Sequence, residues 1–279
     1  MLILVVEGKL ILNKPTLVGF LLAASLGVAL GGICQAREGL SKTDSNLINY
    51  GLQLRAVGKN EAASATFDRC QHLENAPDPI ILRICEIYNS NGQSPRALAL
   101  IQPVVARAGS NTKAMLAAGV PYPLAIRSDC YNAVGEFEKA VADEVKLASL
   151  LPDGGKVYLV KAGDILRRIK KYNEALVLFD RALKLKASNE DCYLLISRGS
   201  CLQGLQRWDD AIANYTQILK LLSQPGRVDK KALYWAAANS YGERAKCYEH
   251  QKKYSQAQAD RKKQEEMGRA VEDELFGNK

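Results

Sequence analysis

The chain has 279 residues, 47% of them apolar and 24% charged, with a formal net charge of +8. That balance belongs to a folded soluble chain, and 21 glycines and 9 prolines are too few for a disordered, low-complexity polymer. The length accommodates one elongated repeat domain or two compact ones, and the positive excess is modest and spread out.

Residues 1–36 stand apart from the rest. Lys9 and Lys14 precede a run without charge, Thr16 to Cys34, which ends at Cys34-Gln35-Ala36, a small-x-small cleavage sequence. The run is either a cleaved secretory leader or an uncleaved signal anchor, since its nineteen residues can just span a bilayer. In a bacterial-type export route both alternatives put the remainder outside the cytoplasmic membrane. The expected location is therefore periplasmic or extracytoplasmic, or anchored at the N-terminus, with membrane contact confined to residues 16–34.

Residues 37–43 form a polar lead-in. Asp44 or Ser45 can cap a first helix running towards Val57, Gly58-Lys59-Asn60 makes a turn, and a second helix is expected from about Glu61 to Leu73. The next helix opens at Ile80 and turns at Asn89–Gly92. Ser94-Pro95 then starts its partner, a cap followed by the helical position where proline is welcome. Pro103 falls inside that partner, where it removes a hydrogen bond at a cost of about 3 kcal/mol, so a kink or an early end is expected. Lys113 to Ala118 could hold a helical turn or two, and Pro121 and Pro123 precede a helix carrying Leu124 to Ala133.

Residues 156–189 carry the clearest pattern. Leu159, Ala162, Gly163, Leu166 and Ile169 fall on one helical stripe, and Ala175, Leu178, Phe179, Ala182 and Leu185 on a second. Lys170 and Lys171 suit the negative end of the first helix, and Asn173 is the expected cap of the second. Farther on, Gln224-Pro225-Gly226 breaks the chain before a helix from about Asp229 past Tyr248, which exposes Tyr234 and Trp235. The last helix, 254–273, is polar all round.

Catalytic chemistry is sparse. His72 and His250 each lie near the polar end of a helix, no His-Glu-x-x-His or Gly-x-Ser-x-Gly is present, and Asp153-Gly154-Gly155-Lys156 lacks the upstream glycine of a phosphate loop. No catalytic constellation, metal site or cofactor is expected, and the chain is read as non-enzymatic. Six cysteines lie outside the leader: Cys70, Cys85, Cys130, Cys192, Cys201 and Cys247. None form a Cys-x-x-Cys pair, which argues against zinc. Export would permit disulfides, and Cys70 with Cys85, on helices expected to be adjacent, is the best candidate pair.

The two stripes of 156–189 recur. An alanine stands twelve residues after a small residue at Gly51/Ala63, Cys85/Ala97, Ser128/Ala140, Gly163/Ala175, Gly199/Ala211 and Ala245/Ala257. A bulky residue follows four later at Phe67, Ile101, Phe179 and Tyr215. Successive alanines are 34, 43, 35, 36 and 46 residues apart. This pattern resembles the tetratricopeptide repeat, in six units at about 44–77, 78–111, 121–154, 156–189, 192–225 and 238–271, with a tail at 272–279.

The resemblance implies an all-α, right-handed α-solenoid of stacked hairpins whose first helices line a concave groove that holds a peptide or protein partner. On this chain the groove positions are Val157, Val160, Asp164, Arg167 and Arg168, then Tyr193, Ile196, Ser200 and Gln203, then Asn239, Glu243 and Lys246. Family members that clamp a terminal carboxylate use a Lys and Asn pair where this chain has Val160 and Asp164, so that clamp is not expected. The implied function is a protein–protein interaction scaffold in the cell envelope. The alternatives are an accessory subunit of an envelope enzyme or assembly complex, or a nucleic-acid-binding protein. The last is motivated by Lys252, Lys253, Arg261, Lys262 and Lys263, but it is disfavoured by the acidic residues interleaved with them.

Overall fold

The computed structural model describes residues 5–6, 9–10, 39–108, 123–151, 155–185, 191–223 and 230–276. Among them are twelve α-helices that follow one another in sequential pairs. They are α1 (Lys42–Ala56) and α2 (Asn60–Phe67), α3 (Asp78–Ser90) and α4 (Ser94–Ala108), α5 (Pro123–Ala133) and α6 (Phe137–Leu150). Then come α7 (Gly155–Arg168) and α8 (Tyr172–Leu183), α9 (Asp191–Gly204) and α10 (Trp208–Leu222), α11 (Lys230–His250) and α12 (Tyr254–Phe276). Two short strands, β1 (Val5–Val6) and β2 (Lys9–Leu10), pair antiparallel, and one 3-10 turn spans Leu73–Asn75. The apolar run Thr16–Cys34 with its cleavage sequence, and the segment 113–118, lie outside the described residues. No described helix is long and apolar enough to cross a membrane.

The chain divides into two compact units, Met1–Gly135 and Glu136–Lys279. In the first, each of α1 to α4 packs on the next helix in sequence, and α3 also touches α5. Its core gathers Ile48, Phe67, Ile80, Ile84, Ile87, Ile101 and Ile126. In the second, each helix from α6 to α12 packs on its sequence neighbour, while α7, α9 and α11 also touch side by side. Leu159, Phe179, Leu194, Leu202, Tyr215 and Ile218 make its core.

One backbone device recurs in every pair. A residue in the left-handed region closes each first helix: Gly58, Gly92, Gly135, Lys170, Gln206 and Lys252. At five of these turns the following N–H reaches back to the first helix, Lys59 to Leu54, Gln93 to Tyr88, Lys171 to Leu166, Arg207 to Leu202 and Lys253 to Tyr248. This satisfies the terminal carbonyls without side chains. The key alanine always sits five residues after the left-handed one, and its N–H makes an early hydrogen bond of the second helix, as Ala175 does to the Lys171 carbonyl at 3.0 Å.

The turn therefore starts α8 earlier than the sequence reading places it. Lys171 occupies the cap without a side-chain bond, and Asn173 lies exposed inside the first turn. Three of the six left-handed residues carry side chains, at φ 62°, 58° and 59° for Lys170, Gln206 and Lys252. Side chains there cost about 1–2 kcal/mol, against about 0.5–1 kcal/mol of backbone entropy for glycine. Lys170→Gly, Gln206→Gly and Lys252→Gly are each expected to stabilise the second unit by about 0.5–1 kcal/mol, read as a higher denaturant midpoint. A lower midpoint for all three would refute this reading of the turn.

Three further local expectations are corrected. The cap of α1 is Ser41, whose Oγ accepts from the Asp44 N–H at 3.0 Å and donates to the Asp44 carboxylate at 3.0 Å. Asp44, 2% exposed, is instead a tether. Its Oδ1 accepts from the Gln71 N–H at 2.9 Å, and that bond above all holds its carboxyl below the usual carboxylate range. Helix α2 ends at Phe67 rather than near Leu73. Ser64 and Thr66 bond back to the Glu61 and Ala62 carbonyls, and the bonds after Asp68 tighten to i→i−3, from Arg69 to Thr66 and from Cys70 to Phe67. Helix α4 runs through Pro103 to Ala108. The ring and the Ala99 carbonyl it leaves without a helical donor are on the exposed side, while Ala97, Ile101, Val104 and Ala108 stay buried in an unbroken stripe.

The expected Cys70–Cys85 disulfide is absent, and both thiols are free. They point to different places. Cys85 Sγ donates to the Ala97 carbonyl of its own hairpin at 3.5 Å, whereas Cys70 Sγ lies 4.0 Å from the Asp44 carbonyl. Burial raises Cys85 well above the ordinary thiol range and Cys70 to about 11, so neither has thiolate character at neutral pH.

Candidate functional site

The sequence-derived groove positions of the second unit lie on α7, α9 and α11. Aligned on the small residues Gly163, Gly199 and Ala245, they form rows: Val157, Tyr193 and Asn239; Val160 and Ile196; Asp164, Ser200 and Lys246; Arg167 and Gln203. Burial separates the rows. Val157 is 47% exposed and Tyr193 50%. Val160, Ile196 and Asn239 are half-buried, and Arg168 and Lys246 are exposed.

Much of the polar half of this face is engaged internally. Asp164 accepts from Arg167 Nε at 3.1 Å and from the Tyr193 hydroxyl at 3.0 Å, which ties α7 to α9. Partial burial, and then the Asp164 carboxylate, raise the Tyr193 phenol and keep it a donor. Gln203 Nε2 donates to the Glu243 carbonyl at 3.1 Å and to its carboxylate at 3.2 Å, tying α9 to α11. Gln203 Oε1 accepts from the Tyr215 hydroxyl at 3.2 Å. Lys246 pairs with Glu243 at 2.6 Å, and Ser200 bonds the Ile196 carbonyl of its own helix at 3.1 Å. These bonds position the first helices against one another.

The residue that the groove assignment leaves out is Trp235, one helical turn before Asn239 and 51% exposed. It belongs to the N-terminal extension of α11, and the long gap after Ala211 was its signal in the sequence. The first unit differs at the row of Val160. Its equivalents there, Ile48 and Leu82, are buried at 1% and 0% exposure. At the row of Val157 and Tyr193 the first unit carries Ser45 and Pro79, so among the described residues the exposed apolar and aromatic pair at the start of successive first helices belongs to the second unit.

Other chemistry-bearing residues have structural surroundings. His250 stacks on Trp208 with ring centroids 4.1 Å apart and an interplanar angle of 7°, and His72 is exposed beside Glu74. Burial pushes the Cys130 and Cys201 thiols up to about 12, which removes nucleophilic character. Among the described residues no group of three or more His, Cys, Asp or Glu side chains could hold a metal ion.

No protein-family model matches the chain, and no curated protein does. Solved structures do. A putative kinesin light chain with nearly identical TPR-like repeats from Podosopora anserina superposes with a TM-score of 0.52 at 15% identity, over 71% of this chain and 96% of that one. BtubC (BKLC) from P. vanneervenii superposes with a TM-score of 0.54 at 12% identity, over 85% and 91%. At such identities the likeness speaks for the fold alone. Together with six hairpins built on one small-residue register, it gives the chain the all-α fold of TPR-like repeat proteins.

Proposed function

We propose that the chain is a non-catalytic interaction scaffold, and that the face formed by α7, α9 and α11 docks a peptide or protein segment. The observation that supports this is the exposure of Val157, Tyr193 and Trp235 near the starts of these helices, beside polar groups already bonded to one another. A partner gains apolar and aromatic contact there without breaking unsatisfied polar groups out of water, and aromatic anchors are the residues that most often dominate docking energy. The charge-free run Thr16–Cys34 supports placement in the cell envelope, by export or anchoring.

Recovery of a partner by crosslinking and pull-down from envelope extracts tests the proposal. Tyr193→Ala with Trp235→Ala, and separately Arg168→Glu, should lower recovery at least about tenfold while circular dichroism is unchanged. Undiminished recovery by folded variants would remove the assignment. Nucleic-acid binding fits less well. In the α11–α12 pair Arg261 is matched by Glu249 at 3.1 Å and Lys263 by Glu266 at 2.7 Å.

A further inference from the structure

The face formed by α7, α9 and α11 carries one guanidinium that is held in place but not used up. Arg167 donates to the Asp164 carboxylate through Nε alone, at 3.1 Å, and Asp164 is itself fixed from α9 by the Tyr193 hydroxyl at 3.0 Å. Among the described residues the two terminal nitrogens of Arg167 hold no carboxylate, and the side chain is 31% exposed. The planar fork is therefore pinned at its inner nitrogen, and its outer edge keeps two parallel N–H donors for a ligand. Such an edge matches the two oxygens of a carboxylate.

The surroundings fix the sign of what binds there. Asp164 and Glu243, the carboxylates among the groove positions, are both engaged, the first by Arg167 and Tyr193 and the second by Gln203 and Lys246. Arg167, Arg168 and Lys246 outnumber them. The chain as a whole carries +8, so an anionic segment is drawn in and a cationic one repelled. The seat also has a fixed neighbour. Arg167 and Tyr193 meet on the same carboxylate, so the guanidinium adjoins an aromatic residue that is 50% exposed.

We infer, building on the docking reading of this face, that the partner is an acidic protein segment. An Asp or Glu side chain of that segment sits on the outer edge of Arg167, and an apolar or aromatic side chain two residues away packs against Tyr193. Residues so spaced lie about 7 Å apart on one side of an extended strand, which suits a seat and an anchor that share Asp164. A phosphate is the poorer occupant. Its second charge would face Asp164 across the same guanidinium, and two donors do not satisfy three strongly accepting oxygens.

Selection of a random-peptide library displayed on phage, against the purified full-length chain, tests this. It should enrich segments with Asp or Glu two residues from an aromatic or apolar residue. One such peptide, with acetylated and amidated ends so that only side chains carry charge, is then titrated by fluorescence anisotropy. Arg167→Gln should weaken binding about ten- to a hundredfold, and Arg167→Lys by less. Arg167→Glu should lose this peptide and bind the version with Lys in place of the acid, a reversal that damage to the fold would not produce. Enriched peptides without an acidic preference overturn the inference, as does equal binding by Arg167→Gln or tighter binding of a phosphoserine version. In those cases the docking face itself stands as long as Tyr193→Ala with Trp235→Ala abolishes binding. Binding that survives that pair of substitutions, or no enriched peptide at all, overturns the docking face and the inference with it.

Discussion

Gly163→Ala is expected to destabilise the second unit by about 1–2 kcal/mol, and to stabilise it by about 1 kcal/mol when Phe179 has already been replaced by alanine. The reversal follows from one contact. A Cβ at Gly163 would lie 2.6 Å from the Phe179 ring, which is fully buried and cannot withdraw cheaply. Overpacking of this kind costs about 1–3 kcal/mol, and exceeds the roughly 1 kcal/mol by which alanine outdoes glycine inside a helix. Phe179→Ala alone should cost about 3–5 kcal/mol. With the ring gone, the new methyl group fills part of the cavity and only the propensity gain remains. Both tryptophans, Trp208 and Trp235, lie in the second unit, so denaturation followed by their fluorescence reports that unit. Additive effects in the double mutant would refute the packing argument. The same test applies at Gly199, where a Cβ would lie 2.6 Å from the Tyr215 ring.

The second large effect is expected at the pair that joins α11 to α12. Arg244 meets Asp260 through two parallel bonds of 2.7 and 2.8 Å, its remaining nitrogen donates to Thr216 at 2.9 Å, and its guanidinium lies 5.5 Å from the Tyr241 ring. The two side chains are 15% and 8% exposed. Such a pair is a poor source of net stability but an expensive one to break. Arg244→Met should cost about 3 kcal/mol by stranding the Asp260 carboxylate. Adding Asp260→Leu should bring stability back to within about 1 kcal/mol of the wild type. A single mutant within about 0.5 kcal/mol of wild type, or a double mutant worse than the single, would contradict this account.

The helices and their small-residue register were legible because both are local. A stripe such as Leu159, Ala162, Gly163 and Leu166 needs only helical geometry to be read, and the twelve-residue step from Gly163 to Ala175 is the length of a turn with a fixed backbone. What escaped reading depends on partners far along the chain. The Asp44 carboxylate could not be assigned to Gln71 from spacing, so Asp44 looked like a cap. Pro103 looked like a break because its own helix was weighed without the buried stripe that carries it through. The Cys70–Cys85 pairing assumed that adjacent helices bring thiols together, whereas each side chain turns to a different carbonyl. On the shared face of α7, α9 and α11 the sequence indicated which helix faces to compare, but not that Asp164 binds Tyr193, or that Gln203 binds Glu243.

The turns set a rule about length. From left-handed residue to key alanine the step is five at all six hairpins, whereas the distance from one alanine to the next ranges from 34 to 46. A residue added inside a hairpin would rotate the second helix by about 100° and carry its apolar side out of the core. A residue added between hairpins merely lengthens a loop, at a small entropic cost. The protein can thus vary in size, or accept an inserted tag, at the joints between its modules but not at the elbows within them.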